Sequence, residues 1–347
     1  MLIIGCDFHP SFQVVSIFDN QTGEVRQLRL GHREEAERFY RSLSPPLRVG
    51  MEACGHWVWF ERLLAELGHE LWLGDAGQIR AMMVRKQKTD GRDADHILDL
   101  LLHDRFPRIW VPSLEERDVR QLLLHRHKQV QARTRAKNQL QALALSQGVQ
   151  RKGKLWSKQG RAELEQLPLL PYAAQRRQRL LEALDRLEAE IGELDRRVEE
   201  EVRRRPAAVK LRTHPGVGPV TALATVLTLG PVERFRSPRQ VASYLGLIPR
   251  EHSSGGRQQF GRLSKQGNPF LRFLLVEAGQ SAARGDPELG RCYRRLAVRK
   301  HRALAKVAVA RRLALRLYWM LRQDLTYAQL VQGRHAGEPE SFCGRGN

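Results

Sequence analysis

Asp7 closes the apolar run IIGCDF, and Glu52 closes a second one, LRVGME. A carboxylate that follows such a run is costly to place unless it is paired or bound to a cation. Asp90 and Asp93 lie in KTDGRDADH, three residues apart at a helix start, so they share one face. Acids from two strand ends and one helix are what a Mg²⁺ site acting on phosphodiesters needs. Oxygen donors suit the hard cation, and substrate phosphate fills the open positions. Each acid also has a plainer reading. Asp7 or Glu52 alone is a solvated strand-end acid, Asp90 is a helix N-cap, and Asp93 and Asp95 favour the positive end of a helix dipole. The four together, in a strongly basic chain, favour the metal. Asp95 falls on a different face from Asp93, and His96 reads as a neighbouring polar residue rather than a ligand.

A second stretch, IPREHSSGGRQQFGRLSKQGN, sets Ser253 and Ser254 among arginine, lysine and glycine. A serine hydroxyl is a poor nucleophile until a base or a metal activates it. Nothing here builds a Ser-His-Asp triad, and His252 reads as a neighbour, so the acid cluster is the natural complement. Arg250, Arg257, Arg262 and Lys265 would offset charge on phosphate oxygens, and Gly255 and Gly256 would let the backbone approach DNA closely. The plain alternative is a solvated basic turn. Two further regions suit phosphate. Gly216 and Gly218 in THPGVGPVTALATV suggest a helix-hairpin-helix turn, whose amides and following helix N-terminus fit a DNA phosphate. Arg126, Lys128, Arg133 and Lys137 lie on the basic face of a long helical pattern, an RNA or DNA surface between which composition does not choose.

These residues need elements to hold them. LIIGCDF and FQVVSIFD read as strands joined by a tight turn at HPS, with EVRQLRL a third strand, HREEAERFYRSL a helix and LRVGMEA a further strand. WVWFERLLAELG, HELWLGD and DADHILDLLLHDR follow as helix, strand and helix, so residues 1–112 form a mixed sheet flanked by helices. Residues 113–205 are helical. There Leu180, Leu184, Leu187, Ile191, Leu194, Val198 and Val202 follow a 4-3-4-3-4-4 spacing, a coiled-coil seam for a helix of this chain or of a second subunit. That region reads as a spacer and oligomerisation element. Residues 206–330 are mainly helical, with the serine stretch as a loop or hairpin, and 331–347 read as an unstructured tail.

Composition narrows the partners. The 347 residues carry 59 Lys plus Arg against 38 Asp plus Glu, a formal charge of +21, while 41% hydrophobic residues suffice for real cores. Such an excess points to a polyanion, because cations on phosphates release condensed counterions. No run of about 18 apolar residues is available to span a membrane, and MLIIGCDFHP is too short and acidic for a signal peptide. Cys6, Cys54, Cys292 and Cys343 have neither zinc-knuckle nor redox-pair spacing, which predicts a reducing cytoplasm and no structural metal. Cys6 and Cys54 read as small buried strand residues.

Asp7, Glu52 and KTDGRDAD, followed by THPGVGPVTALATV, RFRSPRQVASYLGLIPREHSSGG and GRLSKQGNPFLRFLLVEA, together resemble the IS110 family of insertion-sequence transposases, with its IS1111 subgroup. These are bridge-RNA-guided recombinases similar to certain DNA invertases. The resemblance covers roughly residues 1–105 and 206–320; the middle helices fit the family's spacer by pattern only. It implies a RuvC-like, ribonuclease-H-like DEDD domain holding Mg²⁺ through Asp7, Glu52, Asp90 and Asp93. It also implies a C-terminal domain whose serine nucleophile falls at Ser254, with Ser253 the adjacent alternative. DNA, a bridge RNA and a homo-oligomer, dimer or tetramer, are the implied partners. The competing readings are a metal-dependent nuclease or junction resolvase, in which the acids activate water and SSGG grips DNA, a DNA invertase without RNA guidance, and a nucleic-acid-binding protein without chemistry.

Overall fold

The computed structural model describes residues 1–83, 89–150, 153–251 and 259–333. The chain divides into two compact units, Met1–Val111 and the remainder from Pro112.

The first unit opens as an antiparallel meander, β1 (Leu2–Phe8), β2 (Phe12–Asp19) and β3 (Val25–Gly31). Then come α1 (Glu34–Arg41), β4 (Arg48–Glu52), α2 (Val58–Glu66), β5 (Glu70–Gly74), α3 (Ala76–Ala81) and α4 (Asp90–Leu102). The strand order is β3-β2-β1-β4-β5, with β4 parallel to β1 and β5 parallel to β4. The mixed sheet is as the sequence predicts; α3 is additional, started by Asp75, whose side chain accepts the Gln78 N–H.

One sheet face buries Cys6, Val15 and Ile17 against Tyr40, Phe60 and Leu64. Cys6 is a buried strand residue whose thiol donates to Gln13 Oε1 at 3.0 Å, while Cys54, just beyond β4, is only half-buried. The other face meets α4 at unusually close range. A Cβ on Gly5 would stand 2.3 Å from the Ala94 carbonyl oxygen and 2.4 Å from the Leu98 nitrogen. Gly50, its partner in the β1–β4 register, would collide with the Leu101 side chain. The first obstacle is helix backbone, which no rotamer change relieves. Gly5→Ala should therefore push α4 off the sheet and destabilise the fold by about 1–3 kcal/mol, the usual cost of overpacking, seen as a lower urea midpoint. An unchanged midpoint would show that α4 is not seated on β1.

In the second unit, α5 (Leu114–Ser146) starts with a capping box between Ser113 and Glu116. It runs antiparallel to α7 (Pro171–Arg203), with α6 (Lys158–Glu165) between them in sequence. Leu184, Ile191, Leu194, Val198 and Val202 of the expected seam are buried, so its partner is a helix of the same chain. At the N-terminal end the seam slips to Leu181, leaving Leu180 half-buried, because α6 contributes Leu164 to that cluster.

The chain continues through α8 (Pro206–Leu211), α9 (Pro219–Leu229), α10 (Pro238–Tyr244), the hairpin β6 (Pro249–Glu251) and β7 (Phe260–Leu263), α11 (Pro269–Gly285), α12 (Pro287–Arg299), α13 (Arg302–Arg322) and α14 (Tyr327–Gly333). Its core joins Val119, Leu123, Val198 and Val202 of the long helices to Leu223, Leu271, Leu275, Leu313 and Leu317. A charged knot lies inside it. Arg316 bonds Asp286 and Glu288, and the Tyr327 hydroxyl donates to Asp286 at 2.6 Å. The tail was expected from residue 331, but α14 runs on to Gly333 behind the buried Leu330. Among the described residues no helix is long and apolar enough to cross a membrane.

Candidate functional site

The sheet and α4 determine where the acids go. Alternation along β1 puts Asp7 on the same side as Gly5, the side covered by α4. On β4 the same parity puts Glu52 on that side with Gly50, and the β1–β4 register, ending at Cys6 opposite Met51, leaves Asp7 and Glu52 on neighbouring strand ends. The helix begins at Asp90 because Thr89 caps it, its hydroxyl accepting the Arg92 N–H. Gly5 and Gly50 then let this helix start lie close to the strand end.

The result is a tight cluster with one member that the sequence does not flag. His9 Nε2 lies 3.0 Å from Asp7 Oδ2 and 3.7 Å from Asp90 Oδ1. Donor atoms of Asp7, His9 and Asp90 all fall within 4.8 Å of one another. Asp93 and Glu52 stand outside that triad. Burial pushes the Asp7 carboxyl above its ordinary pKa; His9 pulls it back, and the nearby carboxylates of Asp93 and Asp90 push it up further. Asp93 is thus close enough to be felt electrostatically. His96 is turned elsewhere, with Nε2 bonded to the Ile79 carbonyl at 3.1 Å, which agrees with its reading as a neighbour.

Two carboxylate oxygens and an imidazole nitrogen converging at a strand end form a donor set that suits a divalent cation of hard or borderline character. Asp7, His9 and Asp90 can hold one, with Asp93 and Glu52 on the same side of the sheet. Burial pushes the Cys6 and Cys54 thiols up from the ordinary thiol range.

Ser253, Ser254, Gly255, Gly256 and Arg257, with His252, lie outside the described residues. The segment is bracketed by β6 and β7, which pair antiparallel with Pro249 opposite Leu263 and Glu251 opposite Phe260. Arg250 and Arg262 on these strands, and Lys265 beyond them, are exposed. The following turn is closely seated: a Cβ on Gly267 would stand 1.9 Å from the Tyr244 carbonyl oxygen, and Asn268 Oδ1 caps α11 through the Phe270 and Leu271 N–H groups.

The remaining phosphate candidates are placed unevenly. Gly216 has φ +82° and its missing side chain faces α11, where a Cβ would lie 2.3 Å from the Ala282 nitrogen, so it serves helix packing. Gly218, by contrast, faces open space at the start of α9. On α5, Arg126 pairs with Asp195 at 2.5 Å and Lys137 with Glu188 at 2.9 Å. Those two cations therefore tie α5 to α7, whereas Lys128 is exposed and Arg133 half-buried.

The architecture is that of a mixed α/β domain with clustered carboxylates, joined in one chain to a basic, mainly helical unit. Residues 4–147 match the DEDD transposase model of the IS110 group, described as "Transposase", and residues 208–294 match "Transposase IS116/IS110/IS902 family". The chain is 33% identical over 269 residues to a "Probable family 20 transposase" of Pseudomonas aeruginosa, covering 75% of this chain and 77% of the relative. It is 29% identical over 299 residues to the transposase for insertion sequence element IS1111A of Coxiella burnetii, covering 81% and 78%. The transposase for insertion sequence element IS1328 of Yersinia enterocolitica is 28% identical over 237 residues, covering 68% and 71%. These findings define the class as transposases. The chain belongs to the IS110/IS116/IS902 family of insertion-sequence transposases.

Proposed function

We propose that this transposase cuts and rejoins DNA through a covalent phosphoserine intermediate, with Mg²⁺ at the acid site and a bridge RNA choosing the sequences. The observation that carries the metal reading is the convergence of Asp7 and Asp90, with Asp93 near enough to raise the Asp7 pKa, in a chain of this family. The strand order β3-β2-β1-β4-β5, with β2 alone antiparallel to the central β1, supports a RuvC-like, ribonuclease-H-like domain.

Asp7, Glu52, Asp90 and Asp93 are the proposed ligands. When bound, the cation supplies positive charge to a scissile phosphate and its leaving oxygen. Ser254 is the proposed nucleophile. Its Oγ loses its proton and forms a bond to phosphorus, the bond from phosphorus to one bridging oxygen breaks, and that oxygen takes up a proton to become a free DNA hydroxyl. The phosphoserine ester keeps the phosphodiester energy, so rejoining to another strand needs no ATP. Arg250 and Arg262 on the hairpin strands, Lys265 beyond them, and Arg257 would hold the phosphate oxygens, Arg by paired hydrogen bonds. Gly218, Lys128 and Arg133 extend the proposed nucleic-acid contacts. No base-reading motif stands out in the sequence, which fits delegation of sequence choice to RNA pairing while protein reads shape and backbone. The proposed assembly is a dimer or tetramer.

Incubating the full chain with target DNA, Mg²⁺ and candidate bridge RNA should give a protein–DNA adduct resistant to denaturant. Ser254→Ala should abolish it while Ser253→Ala retains it. DNA cleavage by Ser254→Ala with no adduct in either chain would instead establish a nuclease.

A further inference from the structure

We propose that His9 is a direct ligand of the divalent cation at the acid site, through Nε2, and that this nitrogen biases the site toward Mn²⁺ over Mg²⁺. The inference rests on the metal reading of that site. Its basis is the position of one atom. Nε2 stands 3.0 Å from Asp7 Oδ2 and 3.7 Å from Asp90 Oδ1. Adjacent ligand atoms on one octahedral ion, each at about 2.1 Å, are about 3 Å apart, and opposite ones about 4.2 Å. The nitrogen therefore stands from each oxygen at a separation within the range spanned by donors around a common centre.

The ring is also held there by groups that are not acids. The backbone N–H of His9 donates to the Phe12 carbonyl at 2.9 Å, closing the β1–β2 turn from which the ring projects. The imidazole stacks on the Phe12 ring, centroids 4.5 Å apart and planes 25° apart, and the Arg29 guanidinium lies 3.8 Å from the centre of that same ring. A histidine that served only as a counter-charge, to be expelled when a cation arrives, would have to break this stack. A ligand would keep it. Imidazole is a softer donor than carboxylate, and Mn²⁺ accepts it more readily than Mg²⁺ does. Loss of a group that orients or supplies a metal donor typically lowers affinity by about 10–100-fold.

The test uses the full-length chain titrated with Mn²⁺ and with Mg²⁺ by calorimetry, and pulsed EPR on the Mn²⁺-bound protein. The expected results are a directly coordinated ¹⁴N signal in the wild type, its loss in His9→Gln, and Mn²⁺ binding at least tenfold weaker in that variant, with a smaller change for Mg²⁺. Absence of the nitrogen signal, or equal or tighter Mn²⁺ binding by a His9→Gln chain whose melting curve matches wild type, overturns the proposal. Asp7→Asn separates the two levels. If it loses Mn²⁺ while His9→Gln does not, only the role of His9 fails; if it binds Mn²⁺ as wild type does, the metal reading of the acid site fails with it.

Discussion

Asp7→Asn should lower DNA strand cleavage on the order of 1,000-fold, the scale reached when a preorganised electrostatic group is removed from a reacting centre, without lowering thermal stability. The amide keeps the shape of the carboxylate but not its charge, so it neither attracts a cation nor balances His9. The stability half of the prediction follows from the sign of the pKa shift. The Asp7 carboxyl titrates above its unfolded value, because burial and the carboxylates of Asp93 and Asp90 outweigh His9. A carboxyl raised in the folded state favours folding most below its unfolded pKa, and that contribution is lost as pH rises through the folded one. At neutral pH the ionised group therefore opposes folding of the metal-free chain. Asp7→Asn should melt at the same temperature as wild type or higher, with activity gone. A variant that loses activity only in proportion to lost folded protein would mean that Asp7 is structural. The same shift predicts that metal binding weakens on acidification at a higher pH than an ordinary aspartate would give.

Arg316→Met should cost about 3–5 kcal/mol, the penalty for leaving a buried charge without its partner. Asp286 is 3% exposed and Arg316 4%. Burial by itself would push the Asp286 carboxyl up, yet the Leu289 N–H, the Tyr327 hydroxyl and Arg316 together hold it below the ordinary range. A depressed carboxyl contributes stability that is present above its unfolded pKa and lost as pH falls through the folded one. Chemical unfolding at neutral pH should therefore show the full loss in Arg316→Met, and the acid-side dependence of wild-type stability should flatten. Adding Asp286→Asn should recover part of the loss, since an amide can still accept the Leu289 N–H with no charge to desolvate. A single variant as stable as wild type at neutral pH would rule out the knot as a stabilising feature. Asp286 caps α12, Arg316 lies on α13 and Tyr327 starts α14, so the loss should be global for the second unit rather than confined to a terminus.

Much of this protein follows from local rules. The end of an apolar run places Asp7 and Glu52 near strand ends, because each run is the length of a buried strand and a carboxylate beside it needs a partner or solvent. Thr89 followed by Asp90 and Asp93 marks a helix start with its acids on one face. The regular leucine spacing requires a partner helix, although not which one, since an in-chain helix and a second subunit would bury the same stripe. What local rules miss depends on residues distant in sequence. His9 looks like a turn residue, and only the curl of the β1–β2 turn combined with the descent of α4 onto Gly5 brings its Nε2 between Asp7 and Asp90. Gly216 looks like a turn glycine, and only the tertiary structure shows that its missing side chain faces α11. Arg126 and Lys137 count as free cations in composition, and only the antiparallel register of α5 and α7 sets them opposite Asp195 and Glu188. The sequence thus determined which side chains end each element, because that depends on near neighbours along the chain. The tertiary structure decided which charges meet, because Coulomb and hydrogen-bond energies depend on distances of a few ångströms that chain spacing does not specify.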